Sequence, residues 1–372
     1  MRIPELDGVR GLAILLVLVW HFVIVPIQPV APSFLQPLWV LLGLSWTGVD
    51  LFFVLSGFLI GGILLDNRES PVFFKAFYFR RICRIFPIYY FLVFLYFALA
   101  SYGFGNQNKN LAWLMNNPMP AWSYLTFTQN FLMSHRLSFG CGWLGVTWSL
   151  AIEEQFYLLL PFVLYFLPKK RVPFVLICGI CMAPLIRGAL MYFENPAALA
   201  AGFVMMPCRA DALLLGVLGA YILRLPGIAE TLLINKRRLY LIFSLFLAGV
   251  ACLAVYSPVF MSPAMNWWGR SWLALFFLLF VLIAVIDTQG FLAKSLRSRV
   301  LGGLGNISYG VYLLHQVVFS LTLAFLFPSA TRTASVLFLA SIVSIVFVIG
   351  SASIFYHFVE KPIIRFGHRI KY

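Results

Sequence analysis

The sequence predicts an all-α integral-membrane protein, a polytopic bundle of about ten transmembrane helices. Of its 372 residues, 62% are hydrophobic and only 10% are charged, a composition that the core of a soluble domain cannot absorb. The apolar residues come in runs of about twenty, long enough as helices to cross the hydrocarbon layer of a bilayer. The basic residues are also divided unevenly between alternate connections, as in membrane proteins.

Pro, Gly and charged residues bound the apolar runs and predict single helices between them. The predicted helices lie near 8–27, 40–65, 85–103, 146–167, 172–193, 203–224, 238–256, 268–287, 305–327 and 334–358. We expect one integral-membrane domain over 1–372, with no fused soluble domain. Glu5 and Asp7 stand where a cleavable signal carries positive charge, so the first helix is predicted to be retained. Gly57 and Gly61 are spaced for close helix packing.

The basic residues orient the bundle. With both termini on one side, 21 of the 27 Lys and Arg residues fall on that side, which the positive-inside rule makes the cytoplasm. Topology therefore accounts for the net charge of +15 without a nucleic-acid partner. We expect a multi-pass protein of the inner (cytoplasmic) membrane with the lipid bilayer as its surroundings. The six basic residues on the other side are Lys109, Arg136, Arg187, Arg209, Arg270 and Arg332.

Ionisable side chains inside membrane helices are costly and mark candidate functional sites. In the first helix, Arg10 and His21 differ by only about 20° around an α-helical axis and lie about 16 Å apart along it. They predict a polar stripe from the cytoplasmic mouth to a deep imidazole. Asp50, in the outer half of the second helix, is predicted either to orient His21 or to cap its own helix.

The fourth predicted helix descends from the outer side with two adjacent acids. Ser149, Glu153 and Tyr157 share one face at a spacing of four residues, whereas Glu154 points about 100° away. Two adjacent carboxylates in a membrane helix are hard to explain as packing, so at least one is predicted to be functional.

Three further groups of polar residues are candidate functional residues. Arg81 and Arg84, preceded by Lys75, are either a topology signal or ligands for the phosphates of a nucleotide. Arg209 and Asp211 are two residues apart and face in different directions, so each is predicted to pair with another helix. His315 is a second membrane histidine, either structural or functional.

Together these motifs resemble the acyltransferase-3 family over essentially the whole chain. The similar segments are Leu6-Asp-Gly-Val-Arg10-Gly with His21, Gly48-Val-Asp50-Leu-Phe-Phe-Val-Leu-Ser-Gly57, Arg81-x-x-Arg84-x-Phe-Pro87, Trp148-Ser-Leu-Ala-Ile-Glu153-Glu-Gln-Phe-Tyr157 and Ile307-Ser-Tyr-Gly-Val-Tyr-Leu-Leu-His315. Five motifs in family order make the resemblance specific.

The resemblance implies a bacterial enzyme that moves an acetyl or other acyl group from cytoplasmic acyl-CoA to a hydroxyl of an extracytoplasmic glycan. It implies acyl-CoA as a donor co-substrate, with no permanently bound cofactor and no metal. The catalytic candidates are His21, as general base, with Glu153 and Asp50. Arg10, Arg81, Arg84 and Lys75 are expected to bind the donor, and the residues expected to bind the acceptor are Ser149, Glu154, Tyr157, Arg209, Asp211 and His315.

Two other functional classes, a transporter and a structural membrane subunit, are also compatible with the sequence. A transporter for an acylated or anionic small molecule would also place charges inside the membrane, although broken helices or inverted repeats are not evident here. A structural membrane subunit would not need Arg10 and His21 on one face. Neither the acceptor nor the oligomeric state can be read from the sequence.

Overall fold

A computed structural model describes residues 3–106, 109–192, 196–328 and 333–372 and confirms the all-α prediction. Within these residues, ten helices are long and apolar enough to cross a membrane. They are α1 (Pro4–Val30), α2 (Ser33–Asp66), α3 (Phe73–Ser101), α4 (Gly145–Phe166), α5 (Lys169–Tyr192), α6 (Ala197–Ile222), α7 (Lys236–Tyr256), α8 (Met265–Ile286), α9 (Arg299–Phe325) and α10 (Ala334–Gly367). Arg332 and the side chain of Lys109 lie outside the described residues.

α3 and α10 extend furthest beyond their predicted bounds. α3 begins at Phe73 instead of near residue 85, because the basic stretch before Pro87 is itself helical and Pro87 lies inside the helix. Arginine and lysine are good helix formers, so their charge ends the apolar run without ending the helix. α10 continues past residue 358 to Gly367 through a π turn, Tyr356–Glu360.

Three π turns interrupt the described membrane helices, each beside a polar residue. They cover Trp20–Ile24 in α1, Met265–Gly269 at the start of α8 and Tyr356–Glu360 in α10. The first contains His21, the second Asn266, and the third ends at Glu360. Such turns are rare and occur often at functional sites.

The helices group into two compact units that alternate along the chain. The first consists of Met1–Val17, Val40–Arg68 and Ile152–Asn306, and the second of Leu18–Trp39, Glu69–Ala151 and Ile307–Tyr372. α1, α2, α4 and α9 each contribute one part to each unit. Every contact described below lies within one unit.

Glycines allow α2 and α6 to pack closely in the first unit. A Cβ atom at Gly57 would lie 1.9 Å from the carbonyl oxygen of Leu213, and one at Gly61 would lie 2.9 Å from the Cα atom of Val217. The predicted role of Gly57 and Gly61 in helix packing is confirmed.

The second unit contains α3, α10 and the connection between α3 and α4. That connection includes the short helices Lys109–Met115, Ala121–Leu125 and Gln129–Arg136. The hydroxyl of Tyr89 on α3 donates to the carbonyl oxygen of Tyr124 at 2.8 Å. A Cβ atom at Gly367 would lie 2.8 Å from the Cβ atom of Cys83, so the end of α10 packs directly on α3.

Candidate functional site

His21 and His315, the two histidines among the predicted site residues, lie side by side in the second unit. His21 is half-buried on the π turn of α1, and His315 on α9 is fully buried. Their ring centroids are 4.7 Å apart and their planes meet at 61°. The predicted alignment of Arg10 with His21 assumes a regular α-helix, whereas α-helical geometry ends at Val19. The structure thus gives His21 a neighbouring imidazole that helical spacing did not predict.

Hydrogen bonds fix His315 and its surroundings. The Nδ1 atom of His315 is 2.6 Å from the carbonyl oxygen of Tyr312. The hydroxyl of Tyr312 donates to the carbonyl oxygen of Val146 at 2.9 Å and lies 2.6 Å from the hydroxyl of Ser149. Ser149, predicted to bind the acceptor, is therefore joined through Tyr312 to the helix that carries His315.

In the first unit, Arg209 and Asp211 pair with two different helices, as their spacing predicts. Arg209 donates to Asp50 on α2 at 2.6 Å, and Asp211 accepts from Arg187 on α5 at 2.9 Å. The hydroxyl of Ser271 donates to the same Asp211 oxygen at 2.7 Å. Asp50, predicted to orient a histidine or cap its helix, is thus an ion-pair partner of Arg209.

A third buried arginine, Arg270, completes this charged cluster. Arg187, Arg209 and Arg270 are at most 1% exposed. Arg270 lies 4.8 Å from the ring centroid of Phe203 and donates from Nε to the side chain of Asn266 at 3.4 Å. Arg187 and Arg270 were not among the predicted site residues, although all three arginines belong to the six basic residues outside the predicted cytoplasmic side.

The other predicted site residues on α1 and α4 lie in the first unit, each on its own part of it. Arg10 donates to Asp7 at 2.8 Å, one turn away on the same helix. The hydroxyl of Tyr157 forms a hydrogen bond with that of Ser56 on α2. Glu153, like its neighbour Glu154, is half-buried on α4.

The basic segment of α3 packs against the end of α10 and the residues that follow it. Arg80 donates from Nε and Nη2 to the carbonyl oxygen of Ile370 at 3.1 and 2.7 Å, and its guanidinium lies 4.5 Å from the ring centroid of Tyr372. The predicted donor ligands Arg81 and Arg84 are half-buried, and Lys75 is exposed. Arg80, which directly precedes Arg81, is thus hydrogen-bonded to the C-terminal end of the same chain.

A buried acid, Glu360, belongs to this basic region. Glu360 is 4% exposed, interacts electrostatically with Arg84, and leaves only 3.2 Å between its Oε1 and a Cβ atom built on Gly310. It is the only acidic residue after Asp287. It was not among the predicted site residues, because the last helix was predicted to end at 358, before Glu360. Burial and the nearby Arg80, Arg81 and Arg84 lower the pKa of His368, which favours its neutral form.

Curated relatives match almost the whole chain. YrhL of Bacillus subtilis (strain 168) is 28% identical over 99% of this chain and 56% of its own length. The O-acetyltransferase OatA of Staphylococcus aureus (strain NCTC 8325 / PS 47) is 28% identical over 99% of this chain and 58% of its own. The peptidoglycan O-acetyltransferase OatA of Listeria monocytogenes serovar 1/2a is 27% identical over 98% and 56%. The chain therefore spans little more than half the length of these relatives.

No solved structure matches the chain. The model of the acyltransferase-3 family, described as an acyltransferase domain, matches residues 3–356. That match contains all five motifs, including the segments of His21 and His315. The chain belongs to the acyltransferase-3 family.

Proposed function

We propose that the protein is an integral-membrane O-acyltransferase of the bacterial inner membrane, which moves an acetyl group from cytoplasmic acyl-CoA to a hydroxyl of an extracytoplasmic glycan. Membership of the family supports acyl transfer, and the names of relatives support acetyl as the group and peptidoglycan as the class of acceptor. The observation that carries the proposal is the half-buried imidazole of His21, set on a π turn against the buried His315.

The donor's phosphates are proposed to bind the basic residues of α3. Guanidinium groups bind phosphate oxygens with two parallel hydrogen bonds and keep their charge when partly buried. Arg81 and Arg84 are half-buried and have this chemistry, with Lys75 exposed at the start of the same helix. Arg10 is the remaining proposed contact, along the arm that carries the thioester. Acyl-CoA in this proposal is a co-substrate that leaves as CoA.

His21 is proposed to act as general base on the acceptor hydroxyl. A neutral imidazole has one bare ring nitrogen that can take a proton near neutral pH. The hydroxyl oxygen would form a bond to the thioester carbon while its proton passes to His21. The carbon–sulfur bond then breaks, and the thiolate of CoA takes up the proton that His21 releases. An ester and free CoA result, with atoms and charges balanced.

The acidic residues of α4 are proposed to bind the acceptor. Glu153 and Glu154 could hold sugar hydroxyls, because a carboxylate accepts hydrogen bonds from several donors. Because Asp50 is paired with Arg209, we propose that a different residue orients His21. Arg209 and Asp211 would then support the outer part of the first unit through their ion pairs.

Acetyl-CoA labelled in the acetyl group and soluble peptidoglycan fragments test the proposal with the purified protein in lipid nanodiscs. We expect alkali-labile label on the glycan and an equal amount of free CoA. A transporter would bind or move one compound without forming an ester. Absence of labelled ester with intact, folded protein and fragments that carry free sugar hydroxyls would contradict the proposal.

A further inference from the structure

We propose that His315 is the positioning residue of His21: its Nε2 atom accepts a hydrogen bond from a ring N–H of His21 and so fixes the tautomer and direction of that imidazole. The inference rests on the proposed function in one respect, that His21 is the general base. It assigns to a second histidine the task that sequence alone gave to a carboxylate.

The hydrogen bond of His315 to Tyr312 determines which nitrogen is bare. A carbonyl oxygen can only accept, so the contact of 2.6 Å requires Nδ1 of His315 to carry the hydrogen. In a neutral imidazole the other nitrogen, Nε2, is then an acceptor. The buried Nε2 has no hydrogen-bond partner among the described residues. Buried polar atoms without partners are rare and need an explanation.

His21 is the ring neighbour of His315 that has an N–H to donate. Among the described residues, the other aromatic rings near His315 are Phe22, at 6.2 Å between centroids, and Tyr312, at 5.8 Å. Phe22 has no polar atom, and the hydroxyl of Tyr312 already donates to Val146. The 4.7 Å between the imidazole centroids lets a small rotation of His21 bring a ring nitrogen to Nε2. Such bonds are often loose before substrate binds.

A backbone hydrogen bond and burial hold the acceptor, His315, in place. The backbone bond at Nδ1 and complete burial fix the ring of His315. Tyr312, whose carbonyl oxygen holds that ring, is itself bonded to Val146 and Ser149. A neutral acceptor suits this position, because a buried carboxylate within the membrane would be costly to ionise.

The proposed bond prepares His21 for proton transfer. With one N–H directed to His315, the opposite nitrogen of a neutral His21 ring carries no hydrogen, and we assign it to accept the hydroxyl proton. The imidazolium that results keeps its hydrogen bond to His315, which remains neutral. An orienting acceptor of this kind selects the working tautomer, as the aspartate does in a Ser-His-Asp triad.

The experiment compares His315→Leu, His315→Gln and His357→Leu in the purified full chain. Leucine removes the acceptor, whereas glutamine can donate to Tyr312 and accept from His21 with one side chain. His357 is the matched control, since its Nδ1 bonds the carbonyl oxygen of Ser353 in the same local way but its ring is exposed. The measurements are kcat, KM for acetyl-CoA and the ¹⁵N spectrum of the His21 ring.

We expect His315→Leu to lower kcat by about 10²-fold with KM for acetyl-CoA unchanged, because a misoriented base loses much of its contribution. His315→Gln should regain most of that loss, and His357→Leu should match wild type. The ¹⁵N spectrum should report one tautomer of His21 in wild type and a mixture in His315→Leu.

The inference is overturned if His315→Leu keeps kcat within about twofold of wild type, or if wild-type His21 is already a mixture of tautomers. The spectrum of wild type decides the matter even where a variant does not fold. Failure of the proposed function is a different result: wild type would form no ester, or His21→Gln would retain transfer.

Discussion

The three fully buried arginines make stability depend on how each charge is compensated. Arg209 and Asp50 lie 2.6 Å apart, with side chains 1% and 2% exposed. Removing one member of a buried pair leaves the other charge without compensation, which costs about 3–5 kcal/mol. The pair of Arg224 and Asp66 has side chains 36% and 56% exposed, and an exposed pair contributes about 0–1 kcal/mol.

We therefore expect Arg209→Leu to lower the free energy of unfolding by about 3–5 kcal/mol, and Arg224→Leu to lower it by no more than about 1 kcal/mol. Unfolding in one detergent, followed by tryptophan fluorescence, gives both values. Adding Asp50→Leu to Arg209→Leu should restore part of the loss, because the carboxylate that lost its arginine partner is then removed as well. Equal losses for Arg209→Leu and Arg224→Leu would contradict this account of the cluster.

Sequence spacing predicted that these polar residues need partners but not which partners they take. The two-residue spacing of Arg209 and Asp211 excludes a shared helix face, and the structure confirms that they pair with different helices. The choice of Asp50 as a partner depends on the packing of α2 against α6, which no local pattern contains. For the same reason the closeness of His21 and His315 could not be predicted from either helix alone.

At the scale of elements, the close contact of α2 with α6 depends on glycines, which have no side chain, at the positions where the two backbones meet. Gly57 faces the backbone of Leu213, and Gly216 faces that of Val54, where a Cβ atom would lie 2.1 Å from the carbonyl oxygen. Backbone atoms cannot move aside without shifting a helix. Gly350, in contrast, has no atom within 4 Å of a built Cβ.

Gly57→Ala should consequently destabilise the protein by at least about 1–3 kcal/mol, the usual cost of overpacking. Gly350→Ala should change stability by no more than about 0.5 kcal/mol, as expected where a side chain meets open space. Thermal unfolding of both variants in the same lipid nanodiscs measures the difference. If Gly57→Ala were as stable as Gly350→Ala, the close approach of α2 and α6 would be wrong.

Hydropathy predicted the number of helices well and their ends less well. An apolar run stops at the first charges, whereas a helix stops where the backbone loses its hydrogen bonds. α3 accordingly begins at Phe73, before its arginines, and α10 ends at Gly367, after Glu360. The π turns that position His21 and Glu360 cannot be located from hydropathy, because the side chains around them are of the kinds that α-helical membrane segments also contain.

At the scale of the whole molecule, the ten helices were predictable because lipid demands long apolar runs. The grouping of their parts into two compact units was not predicted, since it depends on contacts between segments far apart in sequence. The family was predictable because its motifs place polar residues in apolar helices. The partners of those residues depend on tertiary contacts.

The orientation in the membrane is a prediction that rests on the basic residues. Ser138, between α3 and α4, and Lys170, at the start of α5, are both exposed. We expect a membrane-impermeant thiol reagent to label Ser138→Cys in intact cells and to label Lys170→Cys only after the membrane is opened. The exposed Cys178, Cys181 and Cys252 should first be replaced by serine. Labelling in the opposite order would put the proposed donor site on the wrong side.

The central claim is that His21 provides the base for acyl transfer, and one substitution tests it most directly. His21→Gln keeps a hydrogen-bonding side chain but removes the basic nitrogen. In a single-turnover assay with purified protein, labelled acetyl-CoA and a glycan acceptor, we expect transfer to fall by about 10²–10⁴-fold, with acetyl-CoA affinity and unfolding temperature close to wild type. Near-normal transfer by His21→Gln would contradict the claim and leave His21 a structural residue.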